Sequence, residues 1–133
     1  MAVKSEKIYL TTKGYGDIAN ITGQIKEVVV RNSLHDGLVC VSSLSTLTSV
    51  VKLYANSKLQ GFLPQLLQSN FYRIEGLNLD EALKAEINSL LLQKSLIIPV
   101  LSGNLQLDLN EQVFLVDLTS SSGKRTVLIQ VID

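Results

Sequence analysis

Histidine and cysteine, the side chains that most often move protons or bind metals, are nearly absent from this sequence. The chain has 133 residues with one histidine and one cysteine. Histidine titrates near neutral pH, but His35 directly precedes an Asp36-Gly37 turn, so we interpret it as a surface-loop residue. Cys40 lies in an apolar, strand-like run, which predicts a buried and unreactive thiol. A His- or Cys-rich zinc site needs more ligands than these, and no D-x-D-like cluster indicates magnesium. We therefore expect neither a metal nor a cofactor.

Two glutamates are the candidate proton-transfer groups if the protein is an enzyme. Glu86 lies at the margin of the apolar stripe of a predicted helix, three residues after Leu83 and four before Leu90. A half-buried carboxyl group has a raised pKa and could serve as an acid or base. Glu111 would be an accessory carboxylate of the same site. The alternative is that Glu86 extends into solvent.

Hydroxyl side chains are concentrated between residues 42 and 49, where six of eight positions are serine or threonine. A hydroxyl lacks the charge to bind an anion strongly, and no nearby histidine could activate one as a nucleophile. We expect these groups to form turn and strand-edge hydrogen bonds. The alternative is a polar pocket wall, in which Ser45 and Thr46 are the candidate ligand contacts.

Lys124 and Arg125 are the candidate anion-binding pair. They follow a serine-rich turn, 120–123, and the stretch superficially resembles a phosphate-binding loop. It lacks the first glycine and the final Ser or Thr of that motif, and it separates two predicted strands without opening a helix. A solvated hairpin is the favoured interpretation. In the alternative, Lys124 or Arg125 binds a phosphate or carboxylate group, which makes a small phosphorylated ligand the candidate partner.

Strand-like segments dominate the elements that must position these groups. Strands are predicted over residues 7–12, 38–43, 47–54, 95–100, 104–107, 112–118 and 126–132. Helices are predicted from Ile21 to about Asn32 with Asn20 as the cap, over 59–67 with a break near Pro64, and from Asn78 to Leu91. This order predicts an α+β fold with antiparallel strands, in a single domain spanning residues 1–133.

Composition limits the classes of partner. Basic and acidic residues number 12 each, so the net charge is zero and no basic stripe predicts nucleic-acid binding. No apolar stretch reaches the roughly 18 residues of a membrane-spanning helix. The N-terminal residues do not resemble a signal peptide, so we expect a cytoplasmic protein. Apolar residues make up 46% of the chain and charged residues 18%. This low charged share favours a homo-oligomer that buries surface between its subunits.

The segments, taken in order, resemble the YjbQ family, also known as the secondary thiamine-phosphate synthase family, from about Lys7 to Ile132. Residues 91–107 follow the family run L-L-G-x-S-L-x-I-P-V-x-x-G-x-L-x-L, and residues 127–131 resemble its closing V-x-V-Q-V. In the first half, residues 21–25 and 36–39 resemble the family's helix opening and its D-G-L-V strand entry. The resemblance implies a YjbQ-like sandwich of mostly antiparallel sheets with about three helices, assembled as a homotrimer. It also suggests thiamine-phosphate synthase activity.

The family histidines are replaced in this chain. The pattern H-T-[ST]-A would place a histidine at about Ser45, and the histidine of A-H-L-K falls on Glu86. The family's G-T-W-Q becomes residues 108–111, which end in Glu111, while the basic pair near the final hairpin is kept as Lys124 and Arg125. In the family, imidazole groups could bind a metal or move protons, and no residue here replaces both.

Three hypotheses about function remain open at this point. The first is a non-catalytic, homotrimeric binding or structural module. The second is an enzyme acting on a small phosphorylated substrate, with Glu86 as acid or base, Glu111 beside it, and Lys124 with Arg125 holding the phosphate. The third is a subunit that assembles with a histidine-bearing relative.

Overall fold

Strands make up most of the computed structural model, which describes residues 2–55, 61, 63, 65, 85–88 and 92–133. The strands in these ranges are β1 (Val3–Thr12), β2 (Ile18–Asn20), β3 (Gly37–Ser43), β4 (Thr48–Tyr54), β5 (Ser95–Leu101), β6 (Asn104–Leu105), β7 (Glu111–Asp117) and β8 (Gly123–Ile132). The helix α1 spans Thr22–Arg31, and residues 61, 63, 65 and 85–88 are also helical.

The strands form two sheets that share one core. The order is β1-β8-β3-β5-β6 in the first sheet and β2-β7-β4 in the second, and every pairing is antiparallel. One apolar cluster joins Val41 and Ile129 of the five-stranded sheet to Val50 and Leu115 of the three-stranded sheet. The predicted arrangement of mostly antiparallel sheets is therefore confirmed. The expected count of about three helices depends on 59–67 and 78–91, which lie mostly outside the described residues.

Helix α1 packs its apolar stripe into the same core. Ile25, Val28 and Val29 are at most 2% exposed, as expected from side chains spaced three to four residues apart on one helix face. The prediction placed this helix correctly to within about one residue at each end. The amide oxygen of Asn20 accepts a hydrogen bond from the backbone N–H of Thr22 at 3.0 Å, and the Thr22 hydroxyl accepts one from Val113 N–H at 2.8 Å. These bonds attach the start of α1 to the three-stranded sheet.

Alternation along β8 determines which of its polar side chains enter the core. Val127, Ile129 and Val131 are buried, and Arg125 is in phase with them. Lys124 lies on the other side of the strand because successive strand residues point to opposite faces. The basic pair is therefore divided between the interior and the surface.

The outer face of the five-stranded sheet, which points away from the core, carries several large apolar side chains. Val3, Tyr9, Leu38, Ile97 and Leu101 are 40–64% exposed there. Cys40 is also on this side of the sheet, between Ile97 of β5 and Gln130 of β8, and it is half-buried. The sequence interpretation of Cys40 as a buried thiol was wrong, because alternation along β3 turns Val39 and Val41 into the core and Cys40 away from it.

The remaining differences from the predicted elements concern strand lengths. β1 starts at Val3 and β8 starts at Gly123, so the two strands pair over their full length from Val3↔Ile132 to Thr12↔Gly123. Polar residues at both strand ends weakened the apolar pattern on which the prediction depended. β2 was not predicted, because three residues are too few for a periodic pattern, and β6 has two residues where four were expected.

Candidate functional site

Five strand ends meet at one end of the molecule, which we call the polar end. It comprises Thr12 at the end of β1, Ser43 at the end of β3, Thr48 at the start of β4, Asp117 at the end of β7 and Arg125 near the start of β8. The register brings them together, since Thr48 is opposite Asp117, Thr12 is opposite Gly123, and Ser43 is opposite Val127. All five side chains are buried.

A buried ion pair between Asp117 and Arg125 connects the two sheets at the polar end. Arg125 Nε donates to Asp117 Oδ2 at 2.7 Å, and the two side chains are 11% and 0% exposed. The Thr12 hydroxyl donates to the same oxygen. The other oxygen, Oδ1, accepts hydrogen bonds from the backbone N–H and the hydroxyl of Thr119 at 2.8 and 2.6 Å. Charged and neutral donors from two strands and a loop therefore surround this carboxylate.

The hydrogen bonds keep the Asp117 carboxyl group ionised. Burial on its own raises the pKa of Asp117, since a low-polarity environment disfavours the charged form. The hydrogen bonds from Thr119, Thr12 and Arg125 stabilise the charged form and outweigh that effect, so the pKa lies below its ordinary value. At neutral pH the ionised aspartate is the counter-charge of Arg125.

Arg125 has most of its donors engaged within the fold. Besides Asp117, its Nη2 group donates to the Thr119 hydroxyl and to the Ser121 carbonyl, each at 2.5 Å, and Nη1 lies 3.4 Å from the Lys124 carbonyl. A guanidinium group has five N–H donors, and these contacts use most of them. The same contacts hold the loop after β7 in place.

Ser45 takes part in the sheet pairing. Beyond the end of β3, Leu44 N–H donates to the Thr126 carbonyl at 3.0 Å, which continues the ladder by one bond. Ser45 Oγ then accepts the Thr126 N–H at 2.8 Å. The hydroxyl thus replaces the backbone carbonyl that would accept the next ladder bond. The candidate ligand contact at Ser45 is therefore bonded to the backbone of β8, at the residue that follows Arg125.

Residues 43–48 span a loop, and most of its other hydroxyl groups bond to atoms of the loop itself. Ser43 and Thr48 share a hydrogen bond between their side-chain oxygens, and Thr48 Oγ1 donates to the Ser45 carbonyl at 2.8 Å. Leu47 adopts a positive φ of 55°, and its carbonyl accepts the Leu118 N–H at 3.0 Å. Thr46, in contrast, is exposed. Turn and strand-edge bonding is thus the observed use of most of these groups.

Lys94 is a residue of the polar end that sequence reasoning missed. Its ammonium group donates to the Ser45 carbonyl at 3.0 Å and to the Thr48 carbonyl at 2.5 Å. Burial lowers its pKa. Nothing in its type or spacing distinguishes a lysine that precedes a strand from a surface lysine, and only the pairing of the 93–95 segment with Ser43 and Val50 brings it to the loop.

Asp117 was missed as well, although the sequence carried a signal for it. Asp117 ends an apolar strand, and Arg125 is in phase with the alternating apolar residues of the next one, so both charges fall on core-facing positions, where charged side chains are rarely found unless paired.

Lys124 lies on the outer face, away from Arg125. Its ammonium nitrogen is 4.0 Å from the centroid of the Tyr9 ring, a cation–π contact across the β1–β8 pair. The two basic residues predicted to hold one anion therefore point to opposite sides of β8.

Of the two candidate glutamates, Glu111 lies away from these groups. Glu111 is at the opposite end of β7, six residues from Asp117 and so roughly 20 Å away at about 3.3 Å per residue. Its carboxylate accepts the Asp108 N–H at 3.2 Å. Glu86 is exposed on the helical residues 85–88. Its neighbour Ala85 shares an apolar cluster with Val116 and Leu118, which flank Asp117 in the sequence, and with Leu47 of the 43–48 loop.

Among the described residues, no three His, Cys, Asp or Glu side chains come together as ligands for a metal ion. Within the same ranges, no helix is long and apolar enough to cross a bilayer.

Comparison with known proteins identifies the family. The family model described as UPF0047 protein YjbQ-like matches residues 6–133. A YbjQ-like protein of unknown function from Sulfolobus solfataricus P2 is similar in structure with a TM-score of 0.84 and 17% identity, over 98% of this chain and 96% of the other. An uncharacterised conserved protein of the same family from Clostridium acetobutylicum gives 0.83 and 19%, over 96% and 99%. A conserved hypothetical protein from Thermus thermophilus gives 0.72 and 22%, over 94% and 99%.

The curated proteins add no relative, since none of them matches the sequence significantly. The structural similarities, all below 25% identity, show the fold. The family model covers almost the whole sequence and carries the assignment. This chain belongs to the YjbQ (UPF0047) family.

Proposed function

We propose that this protein is a non-catalytic, homotrimeric binding or structural module of the YjbQ family. The observation that carries the proposal is the neutralisation of Arg125, the strongest candidate for a phosphate contact, by Asp117 inside the fold. A guanidinium group that already has a buried carboxylate partner gains little from a second anion. The hydroxyl oxygen of Ser45 contributes to the sheet by accepting the Thr126 N–H.

The positions of the carboxylates support the same proposal. General acid–base catalysis needs the acid or base within hydrogen-bond reach of the reacting group, about 2.6–3.2 Å or one water away. Glu111 lies roughly 20 Å along β7 from Asp117, and Glu86 is exposed on the helical residues 85–88. Glu111 therefore does not join Arg125 in one site, so an enzyme that uses both carboxylates on a small phosphorylated substrate is less well supported.

The outer face supports the trimeric part of the proposal. Five large apolar side chains are 40–64% exposed on it, and exposed apolar patches on a sheet commonly mark an interface. We propose that a second copy of this chain covers this face. Association through it would bury apolar surface that a chain with only 18% charged residues otherwise exposes to water. We also propose that the protein does not bind nucleic acid, because its basic and acidic residues number 12 each and form no basic stripe.

A direct assay tests the non-catalytic part of the proposal. Purified protein, supplied with the pyrimidine and thiazole precursors of thiamine phosphate, is expected to form no product above the rate without protein. The E86Q variant should behave identically and melt at nearly the same temperature. Turnover by the wild type that E86Q abolishes, with unchanged melting, would establish the enzyme alternative and refute the proposal.

A further inference from the structure

Lys94 brings a positive charge to the polar end, and its contacts leave that charge without an acidic partner. Its ammonium group bonds to two backbone carbonyls, those of Ser45 and Thr48, and to no carboxylate among the described residues. This contrasts with Arg125, which has Asp117. Carbonyl dipoles satisfy hydrogen bonds but supply no net negative charge. Lys94 is exposed, and a cation in that state favours the approach of an anion.

The two carbonyls also fix where the remaining donor points. An ammonium group has three N–H donors in a tetrahedral arrangement. Two of them are engaged at 3.0 and 2.5 Å by carbonyls of the same loop. The third is therefore directed away from both carbonyls. A lysine side chain usually loses considerable rotamer freedom when it binds a ligand, and here the loop has already restricted that freedom.

Thr46 provides a second donor on the same loop. It lies between Ser45 and Leu47, it is exposed, and its hydroxyl has no hydrogen-bond partner among the described residues. The bonds around it are made by its neighbours, namely Ser45 to Thr126 and Leu47 to Leu118. The backbone of the loop is thus held on both sides of Thr46 while the Thr46 hydroxyl stays available.

We propose that Lys94 and the Thr46 hydroxyl form a binding site for one small oxyanion, a phosphate or carboxylate group of a small ligand. The site is distinct from the Lys124–Arg125 pair that the sequence indicated, because Arg125 is paired internally and Lys124 rests on Tyr9. One cation and one hydroxyl suit a single anionic group and are too few for a diphosphate. This inference deepens the proposed function by naming the ligand class of the binding module, and it rests on that function only in this respect.

Titration with inorganic phosphate tests the site. Calorimetry or thermal shift at pH 7.5 and constant ionic strength should show saturable binding to the wild type, weakened at least tenfold in K94M. K94R keeps the charge and should retain binding within a few-fold. T46A should bind roughly three- to tenfold more weakly, as expected for one lost hydrogen bond. K52M is the matched control, since Lys52 is an exposed lysine in the middle of β4, and it should bind phosphate like the wild type.

The outcomes separate this inference from the proposed function. Equal phosphate affinity in wild type and K94M, or no saturable binding to the wild type, would overturn it while leaving the assay of turnover and the subunit count untouched. If K94M does not fold, the 15N chemical shift of the Lys94 ammonium in the wild type is the second measurement. It should move on addition of phosphate and stay unchanged with the same ionic strength of chloride. No phosphate-specific shift would equally overturn the inference.

Discussion

At the scale of single residues, the charged and hydroxyl side chains of the polar end stabilise the fold through bonds to one another. The carboxylate of Asp117 accepts four hydrogen bonds from Thr12, Thr119 and Arg125. Removing one partner of such a pair leaves an uncompensated buried charge, which costs much more than the pair itself contributes. The stability of the protein should therefore depend on both members.

The D117N variant should lose about 3–5 kcal/mol of unfolding free energy, the usual cost of breaking a buried ion pair from one side. Urea unfolding followed by circular dichroism would measure it. E111Q is the matched control because Glu111 lies on the same strand and is only half-buried, and it should change the unfolding free energy by less than about 0.5 kcal/mol. A D117N protein as stable as E111Q would show that the ion pair is dispensable.

Acid should destabilise the wild type through the same carboxyl group. A group whose pKa is lowered in the folded state contributes stability above its unfolded pKa, about 3.9 for aspartate, and loses it as the pH falls through the folded value. The pKa of Asp117 is lowered, and so is that of the half-buried Glu6, which Arg31 and Asn32 bind. The unfolding free energy should thus change little from pH 7 to about pH 5 and fall steeply below about pH 4.

The E6Q and D117N variants measure how much each of the two carboxyl groups contributes to the loss of stability in acid. D117N should flatten most of the fall below about pH 4, because Glu6 is a surface group whose interaction with Arg31 is screened by solvent. If E6Q flattened the profile and D117N did not, the assignment of the acid response to the buried pair would be wrong.

At the scale of elements, the apolar spacing of the sequence predicted the helix and most strands, whereas the contacts between distant segments could not be predicted. Periodicity identified α1 and most strands, since apolar spacing depends only on local geometry. The same alternation, read through the buried Val127, Ile129 and Val131, would have placed Arg125 inside. The partners of Ser45 and Lys94 depend on register between distant segments, such as Ser43 N–H to the Lys94 carbonyl, which no local pattern encodes. Residue type therefore predicted Ser45 and Arg125 as residues of a polar site. Their bonding partners could be identified only from the register of the paired strands.

Gly14 makes an element-scale prediction about the loops of the polar end. Its φ is +106°, and a Cβ there would lie 3.0 Å from the Ser121 carbonyl carbon. G14A should therefore lower the unfolding free energy by at least about 1 kcal/mol, because a left-handed φ and a close backbone contact both oppose a side chain. G23A, in α1 with no heavy atom within 4 Å, is the control and should stabilise by up to about 1 kcal/mol. The opposite order of stabilities would contradict the loop packing described here.

At the scale of the whole molecule, the family, the two antiparallel sheets and the apolar outer face lead to the prediction of a trimer. Sedimentation equilibrium should give three times the 14.6 kDa chain mass. I97D places a charge in the middle of the outer face, where Ile97 is 64% exposed, and should yield monomers. L109D is the control, since Leu109 is 87% exposed in the turn before β7, and should leave the trimer intact. A wild-type monomer, or dissociation by L109D alone, would remove the outer face as the interface.

Arg125 stabilises the fold in our proposal whereas Lys94 contacts the ligand, and the R125M variant separates these two roles. Its unfolding free energy and its affinity for inorganic phosphate should be measured on the same preparation at pH 7.5. We predict a loss of about 3–5 kcal/mol of unfolding free energy, with a phosphate affinity of the folded fraction within twofold of the wild type. Unchanged stability together with abolished phosphate binding would contradict the account, since Arg125 would then be the ligand contact and its pairing with Asp117 incidental.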